Sequence, residues 1–373
     1  MNKSLLVNYV YWQPVGHAIE ALRYSLGYHL ASPEADVSVV LNKHTAVILT
    51  RLCPWIKNTY IVDIPDDDIR VTPDLYTHIP KSWDWVVNDG RSKSTDYCPG
   101  AFYEYYQQAN KYFEVRIASD YCGGDKVQYS PAPHLLLKIP GENISYAERK
   151  MHSTKIKIAI VLAGNKDLEF FPSLRSWEKI IDALYSKFGS GLSIYLVGKL
   201  RRQHKDTLSG VERSTVDRLL GKYLRSVDCF DIGLLNQLAI VQKCDLFISP
   251  HTGFGFAVQS VGTPWLTISG GTWAEYFFNY VPFYSVLPDP AKYPCYDGKN
   301  DYIVKDKDGT RRIKSMLEQR IDDDLDQIVR GAEILINKEW DFDRCMRDHL
   351  RRMKQYYPVK IWSFDDLHKK YLV

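Results

Sequence analysis

Apolar residues fall along this chain in two alternating rhythms. Residues 5–11 (LLVNYVY) form a short β-branched and aromatic run without helical period, and Pro14 and Gly16 break it, which predicts a buried strand and its exit loop. From His17 the spacing changes: Ala18, Leu22, Leu26 and Leu30 recur every four residues, with Ala21 beside them, until Ser32-Pro33 stops the run. This is the pattern of an amphipathic helix of about four turns. Strand 37–41, helix 45–52 and strand 60–64 follow in the same order. Parallel strands need such crossovers, so the first domain is predicted to be α/β. After an irregular stretch with a short strand at 85–87, Phe102, Tyr106, Ala109 and Phe113 mark a further helix.

Between 135 and 154 a Leu-rich strand gives way to Pro140-Gly141 and a polar stretch without apolar period, which reads as an interdomain linker. The α/β pattern then restarts: strand 158–163, helix 174–188, strand 193–197, helix 234–242, strand 246–249, a tight turn at 250–253, helix 255–261 and strand 265–268. Helices 325–337 and 343–356 precede the tail. The predicted organisation is one domain over 1–145, a second over 155–335, and C-terminal helices in 336–373. Two doubly wound, Rossmann-like domains of this kind face each other across a cleft, with ligands at the carboxyl ends of the strands.

Composition narrows the classes. With 45% hydrophobic and 25% charged residues over 373 positions, the chain has the makings of ordinary globular cores. Lys plus Arg (48) nearly balance Asp plus Glu (45), and the charges are interspersed, so bulk electrostatics give no support to a nucleic-acid partner. Seven cysteines, an odd number without a CxxC pair, read as reduced thiols rather than disulfides or structural zinc. No apolar run reaches membrane-span length and the first ten residues lead into a strand, so the expectation is a cytoplasmic protein, with a peripheral position at the inner membrane as its variant. Walker A, G-x-S-x-G and an early G-x-G-x-x-G are all missing, which leaves kinase, hydrolase and dehydrogenase readings without their motifs.

The most informative stretch runs from Cys229 to Thr272. Its strand ends in Ser249-Pro250-His251-Thr252-Gly253 and turns directly into a helix with small residues at Gly253, Gly255 and Ala257. Unpaired amides and the positive end of a helix suit a phosphate there, and small residues let it approach the backbone. A strand-to-helix turn that needs glycine for backbone reasons alone carries the same short pattern. The longer context, Lys243-Cys244-Asp245, the strand, the x-T-G turn and Ser260-Val261-Gly262-Thr263-Pro264, resembles the nucleotide-sugar-binding segment of GT-B glycosyltransferases. It is most similar to the bacterial lipopolysaccharide heptosyltransferase group, over some 45 residues, with one departure: His251 stands where that group has an acidic residue or Asn. A His followed by Gly here is similar to the donor-binding motif of macrolide and plant small-molecule glycosyltransferases, which leaves the donor sugar open.

The resemblance implies an acceptor-binding domain over 1–145, a donor-binding domain over 155–335 and C-terminal helices in 336–373 that pack back on the first domain, and it implies roles for particular residues. Pro14-Val15-Gly16-His17 is similar to the "GH" of the small-molecule enzymes, whose His is the general base. Histidine's ordinary pKa near 6.5 suits that task. The alternative is a histidine that caps or packs. Asp89, Asp96 and Asp120 are the candidate carboxylates to orient it. Lys199 and Arg201, just after a strand, are expected at the donor phosphates, or else in a solvated basic loop. Phe230 and Ile232 stand where the family holds the nucleobase, largely by backbone contacts; His251, Thr252, Gly253, Phe254 and Gly255 complete the donor set. Glu275 is a candidate acceptor for sugar hydroxyls, with an exposed surface glutamate as the plainer reading. The D-x-D triplets at 66–68, 306–308, 322–324 and 341–343 follow no convincing strand and read as chance, so no metal and no cofactor is expected.

The function so implied is a metal-independent, inverting glycosyltransferase that moves a sugar from a nucleotide-diphosphate sugar to an acceptor hydroxyl on a glycan, a lipid-linked glycan or a small molecule. A non-hydrolysing sugar-nucleotide epimerase and a non-catalytic nucleotide-sugar-binding protein are the alternatives.

Overall fold

The two rhythms become two parallel sheets, one in each of two units that divide between Leu137 and Lys138. The computed structural model describes residues 3–10, 15–65, 69–93, 100–120, 128–130, 133–165, 168–201, 208–271, 278–296, 302–356 and 367–371.

In the first unit β1 (Ser4–Tyr9), α1 (Val15–Ala31), β2 (Asp36–Asn42), β3 (Ile56–Val62), β4 (Ser82–Asn88), α2 (Gly100–Tyr112) and β5 (Glu114–Asp120) follow in chain order. The sheet order is β3-β2-β1-β4-β5, with every pairing parallel. Alternation along β1 sorts its side chains. Tyr9 meets Tyr24 of α1, whereas Leu6 and Val10 join Phe102, Tyr105 and Tyr106 of α2 in one apolar cluster. Asn8, on the α2 face, is paid for by an all-buried network: its amide donates to Asn88 Oδ1 at 2.8 Å and its own Oδ1 accepts from Tyr105 Oη at 3.0 Å. The helix predicted over 45–52 is a 3-10 turn, Val47–Leu52, a short run in which β-branched Val47, Ile48 and Thr50 crowd and Pro54 follows closely. Strand β5 escaped the sequence reading because its alternation mixes charge with apolar residues at the sheet edge.

The second unit contains α3 (Gly141–Lys150), β6 (Ile156–Ile160), α4 (Leu174–Phe188), β7 (Leu192–Gly198), α5 (Arg213–Lys222), β8 (Ser226–Phe230), α6 (Leu234–Gln242), β9 (Leu246–Pro250), α7 (Gly253–Gln259), β10 (Trp265–Ile268), β11 (Phe283–Val286), the antiparallel pair β12 (Ile303–Lys305) and β13 (Arg311–Ile313), α8 (Glu318–Ile336) and α9 (Phe342–Met353). Its six-stranded parallel sheet has the order β11-β10-β9-β6-β7-β8, the doubly wound arrangement in which strand order reverses between β6 and β9. The stretch expected to be a linker is helix α3, which belongs to this unit. It lies on α6, with Asn143 donating to Asn236 Oδ1 at 2.8 Å and Lys243 pairing with Glu148 at 2.7 Å. Only Ala147 of α3 is fully buried, so no apolar period announced it. The final helix, expected on the first domain, packs on the second unit's sheet: His349 meets the Phe283 ring and Arg352 donates to Ser285 O at 2.7 Å. Among the described residues no helix is long and apolar enough to cross a membrane.

Helices α4 and α8 lie side by side, and their seam is ionic. Lys179 stands 2.7 Å from Glu318, which is almost wholly buried, and also pairs with Asp322. Arg175 flanks the same glutamate at 3.3 Å. Lys179→Met is expected to lower stability by about 2–4 kcal/mol, because a buried carboxylate then keeps only one exposed partner. Adding Glu318→Met removes both charges and is expected to return most of the loss. Urea unfolding midpoints of the three chains check this, and a single variant as stable as the parent would show the pair to be energetically idle.

Candidate functional site

The reversal between β6 and β9 leaves a crevice at the carboxyl edge of the second sheet, since the chain leaves the two strands in opposite directions. From β6 the chain continues to Gly164, whose carbonyl accepts from Gly210 N at 2.7 Å. From β9 it turns through His251 into α7, with Thr252 as the cap: its backbone is extended and its hydroxyl accepts from Gly255 N at 3.4 Å. The two exits touch. A Cβ on Gly164 would stand 3.2 Å from Thr252 Cγ2, so the backbone there is exposed for close approach only because the residue is glycine.

Packing under the turn explains its composition. A Cβ on Gly255 would fall 2.3 Å from the Trp265 indole, and Trp265 Nε1 donates to Ser249 Oγ at 2.9 Å. The His251 ring stacks on the same indole, with centroids 6.1 Å apart and planes 15° apart. Phe254 turns back onto Phe247. What Phe254 offers a ligand is therefore its backbone. Gly253 opens α7 and is exposed.

Lys199 and Arg201 lie at the exit of the next strand, β7, where a carboxylate organises the backbone. Asp231, in the left-handed region at φ 58°, accepts from Leu200 N and Arg201 N at 2.9 and 3.0 Å, while Lys199 N donates to Ser209 Oγ at 3.1 Å. These amides are engaged within the protein, so the loop presents side chains instead. That of Arg201 is 86% exposed, its Nε 4.0 Å from Asp231. Phe230 is buried at the end of β8, and the Ile232 carbonyl accepts from Asn236 at 2.8 Å. Gln237 ties β7 to β8 by donating to Gly198 O and Cys229 O. Thus the loops that carry Lys199, Arg201, Phe230 and Ile232 form one linked group at the sheet edge. Glu275 lies outside the described residues. Gly164 and Asp231 were not singled out from sequence; a glycine after an apolar strand was the available signal for the first, and nothing local marked the second.

In the first unit His17 sits in the opening turn of α1, after β1. The carboxylate beside it is Glu20, one turn along the same helix: Nε2 and Oε2 are 3.9 Å apart, and the side chains are 20% and 3% exposed. The sequence pattern H-x-x-E on a helix was legible but went unused. Of the carboxylates proposed from sequence, Asp89 is buried at the exit of β4, Asp96 lies outside the described residues, and Asp120 closes β5.

The D-x-D triplets serve as structure where they are described. Asp322 pairs with Lys179 and Lys307, Asp323 accepts from Tyr293 at 2.8 Å, Asp324 pairs with buried Arg320 at 2.8 Å, and Asp341 caps α9. Desolvation raises the Asp324 carboxyl above its ordinary range, against the pull of Arg320. Residues 66–68 lie outside the described residues.

No protein-family model matches the chain, and no curated protein sequence matches it. Solved structures do. The glycosyl transferase family 9 structure from Veillonella parvula DSM 2008 superposes with a TM-score of 0.60 at 14% identity, covering 90% of this chain and 97% of that one. The E. coli heptosyltransferase WaaC with ADP gives 0.53 at 10% identity, over 89% and 99% of the two chains. WaaC with ADP-2-deoxy-2-fluoro heptose gives 0.52 at 11% identity, over 87% and 99%. At such identities the likeness is one of fold: this chain has the α/β fold of GT-B glycosyltransferases, as the segment from Cys229 to Thr272 implies.

Proposed function

We propose that the chain is a nucleotide-sugar-dependent glycosyltransferase, metal-independent and inverting, with the donor on the second unit and His17 of the first unit as general base. The observation that carries this is the turn at the β6/β9 reversal, where Gly164, the Thr252 cap and the small residues Gly253 and Gly255 bring backbone to an open edge of the sheet. The fold shared with glycosyltransferases supports it.

In the reaction the acceptor oxygen attacks the anomeric carbon, the bond from that carbon to the diphosphate breaks, and a nitrogen of His17 takes the hydroxyl proton. One in-line displacement inverts the anomeric centre. Glu20, one turn along α1 with Oε2 3.9 Å from the ring Nε2, orients the imidazole for this step. The departing nucleoside diphosphate gains charge, which the α7 turn and the cations Lys199 and Arg201 stabilise. His251 takes part with its ring held flat on Trp265. The acceptor is a hydroxyl compound.

Incubation with radiolabelled nucleotide sugars tests the reading as a whole. Transfer or slow hydrolysis is expected; a changed sugar would instead mark an epimerase, and retention alone a binding protein. Turnover is expected to survive a chelator, and loss in EDTA with recovery on magnesium or manganese would overturn the metal-independent mechanism.

Two substitutions test the roles. His17→Ala is expected to lower kcat by roughly 10²- to 10⁴-fold with donor affinity unchanged, and Glu20→Gln to lower it less, about tenfold. Full turnover in His17→Ala, with a reduced melting temperature, would make the histidine a cap. His251→Phe keeps an aromatic ring on Trp265 and removes both ring nitrogens. Its nucleotide affinity is expected to fall by about 1–3 kcal/mol, measured by calorimetry. Unchanged affinity would reduce His251 to a packing residue.

A further inference from the structure

Asp306-Lys307-Asp308 lies away from the strand exits, yet both its carboxylates converge on one side chain. Arg312, 6% exposed, holds Nε 3.2 Å from Asp306 Oδ2 and Nη2 3.1 Å from Asp308 Oδ2. The triplet turns the corner between β12 and β13, where Asp306 N donates to Thr310 O at 2.8 Å and Gly309 supplies a left-handed step at φ 83°. Asp306 is buried and also accepts from Glu318 N at 3.1 Å, which fastens the corner to the start of α8. Burial works against the Asp308 carboxylate, but bonds from Thr310 and Arg312 outweigh it and hold this group below the ordinary range.

With its charge met from two sides, the guanidinium turns its remaining nitrogen to backbone. Nη1 donates to Leu168 O and to Phe171 O, each at 2.8 Å. Phe171 then carries the contact onward. Its ring lies 3.3 Å from where a Cβ would stand on Gly164, next to Thr252 Cγ2 at 3.2 Å. Ion pairs and hydrogen bonds therefore join the D-x-D corner through Arg312 to Phe171, whose ring shares with Thr252 the space beside Gly164 that a side chain there would fill. Removing the guanidinium would leave two carbonyls without their donor and two aspartates without their shared cation, so the segment that presses Phe171 against Gly164 would lose its hold.

We propose that the β12–β13 hairpin is a strut for the diphosphate-binding turn, and that Arg312 is a positioning residue which sets nucleotide affinity without touching the ligand. This rests on the reading of the Gly164 and Thr252 turn as the diphosphate site. Calorimetric titration of the full chain with ADP, UDP, GDP and dTDP, at a temperature where every variant is folded, tests it. Arg312→Met is expected to weaken the binding nucleotide about tenfold and Arg312→Lys less. Asp308→Asn, a milder change should Arg312→Met fail to fold, is expected to weaken it about threefold. Met346→Ala, which loosens the same unit at α9, away from this run of contacts, is expected to leave affinity unchanged. Equal affinity in the parent, Arg312→Met and Asp308→Asn chains overturns the strut, as does an equal loss in Met346→Ala, since affinity would then only follow stability. A parent chain that binds none of the four probes overturns the diphosphate reading and the strut with it.

Discussion

The constraint on which the second unit depends is the reversal of strand order between β6 and β9. In a parallel sheet every strand leaves by the same edge, and neighbouring crossovers normally fill the space above it. At a reversal the chain departs to opposite sides and leaves a gap lined by backbone. The gap is useful only if backbone reaches it. Gly164 and Gly255 make that possible, the first by admitting Thr252 and Phe171, the second by letting α7 settle on Trp265. Trp265 is the common floor: it bonds Ser249, carries the His251 ring and sets the distance of α7 from the sheet.

Around that gap, polar side chains are directed at backbone. Asp231 gathers the amides of the β7 exit, Gln237 bridges β7 and β8, Arg320 donates to Ser269 O and Val286 O at the ends of β10 and β11, and Arg312 holds Leu168 and Phe171. Each charged or amide group so used satisfies a strand exit that would otherwise lack a partner. The consequence is a carboxyl edge fixed in advance, the condition under which dipoles and cations stabilise developing charge without reorganising. The exposed side chain of Arg201 stands on that braced loop.

The first unit uses the same geometry with a different interior. Its reversal lies between β1 and β4, and the registered pair Asn8 and Asn88 occupies the position beneath it, linked to Tyr105 and Asn110. Helix α1 is buried on nearly every side, so Glu20 and Arg23 must find partners inside the protein; Arg23 donates to Pro133 O at 2.9 Å.

Much of the fold was legible because burial imposes a period. Helices α4 and α6 and strand β10 were read from sequence with their observed ends, for each has apolar residues at the spacing its own geometry requires. The His-Thr-Gly turn was legible for the same local reason, as a strand, a breaker and a helix start. Where an element rests on others by few residues, as α3 does through Ala147, or stands at an edge, as β5 does, the pattern thins and the reading failed. The sequence by itself determined two α/β units, the turn at their second reversal and the chemical types available there. Only the tertiary structure decided that Asp231 holds the amides beside Lys199 and that Arg312 reaches the carbonyls of Leu168 and Phe171, because each joins groups far apart in the chain whose distance depends on how elements pack, which no local period encodes.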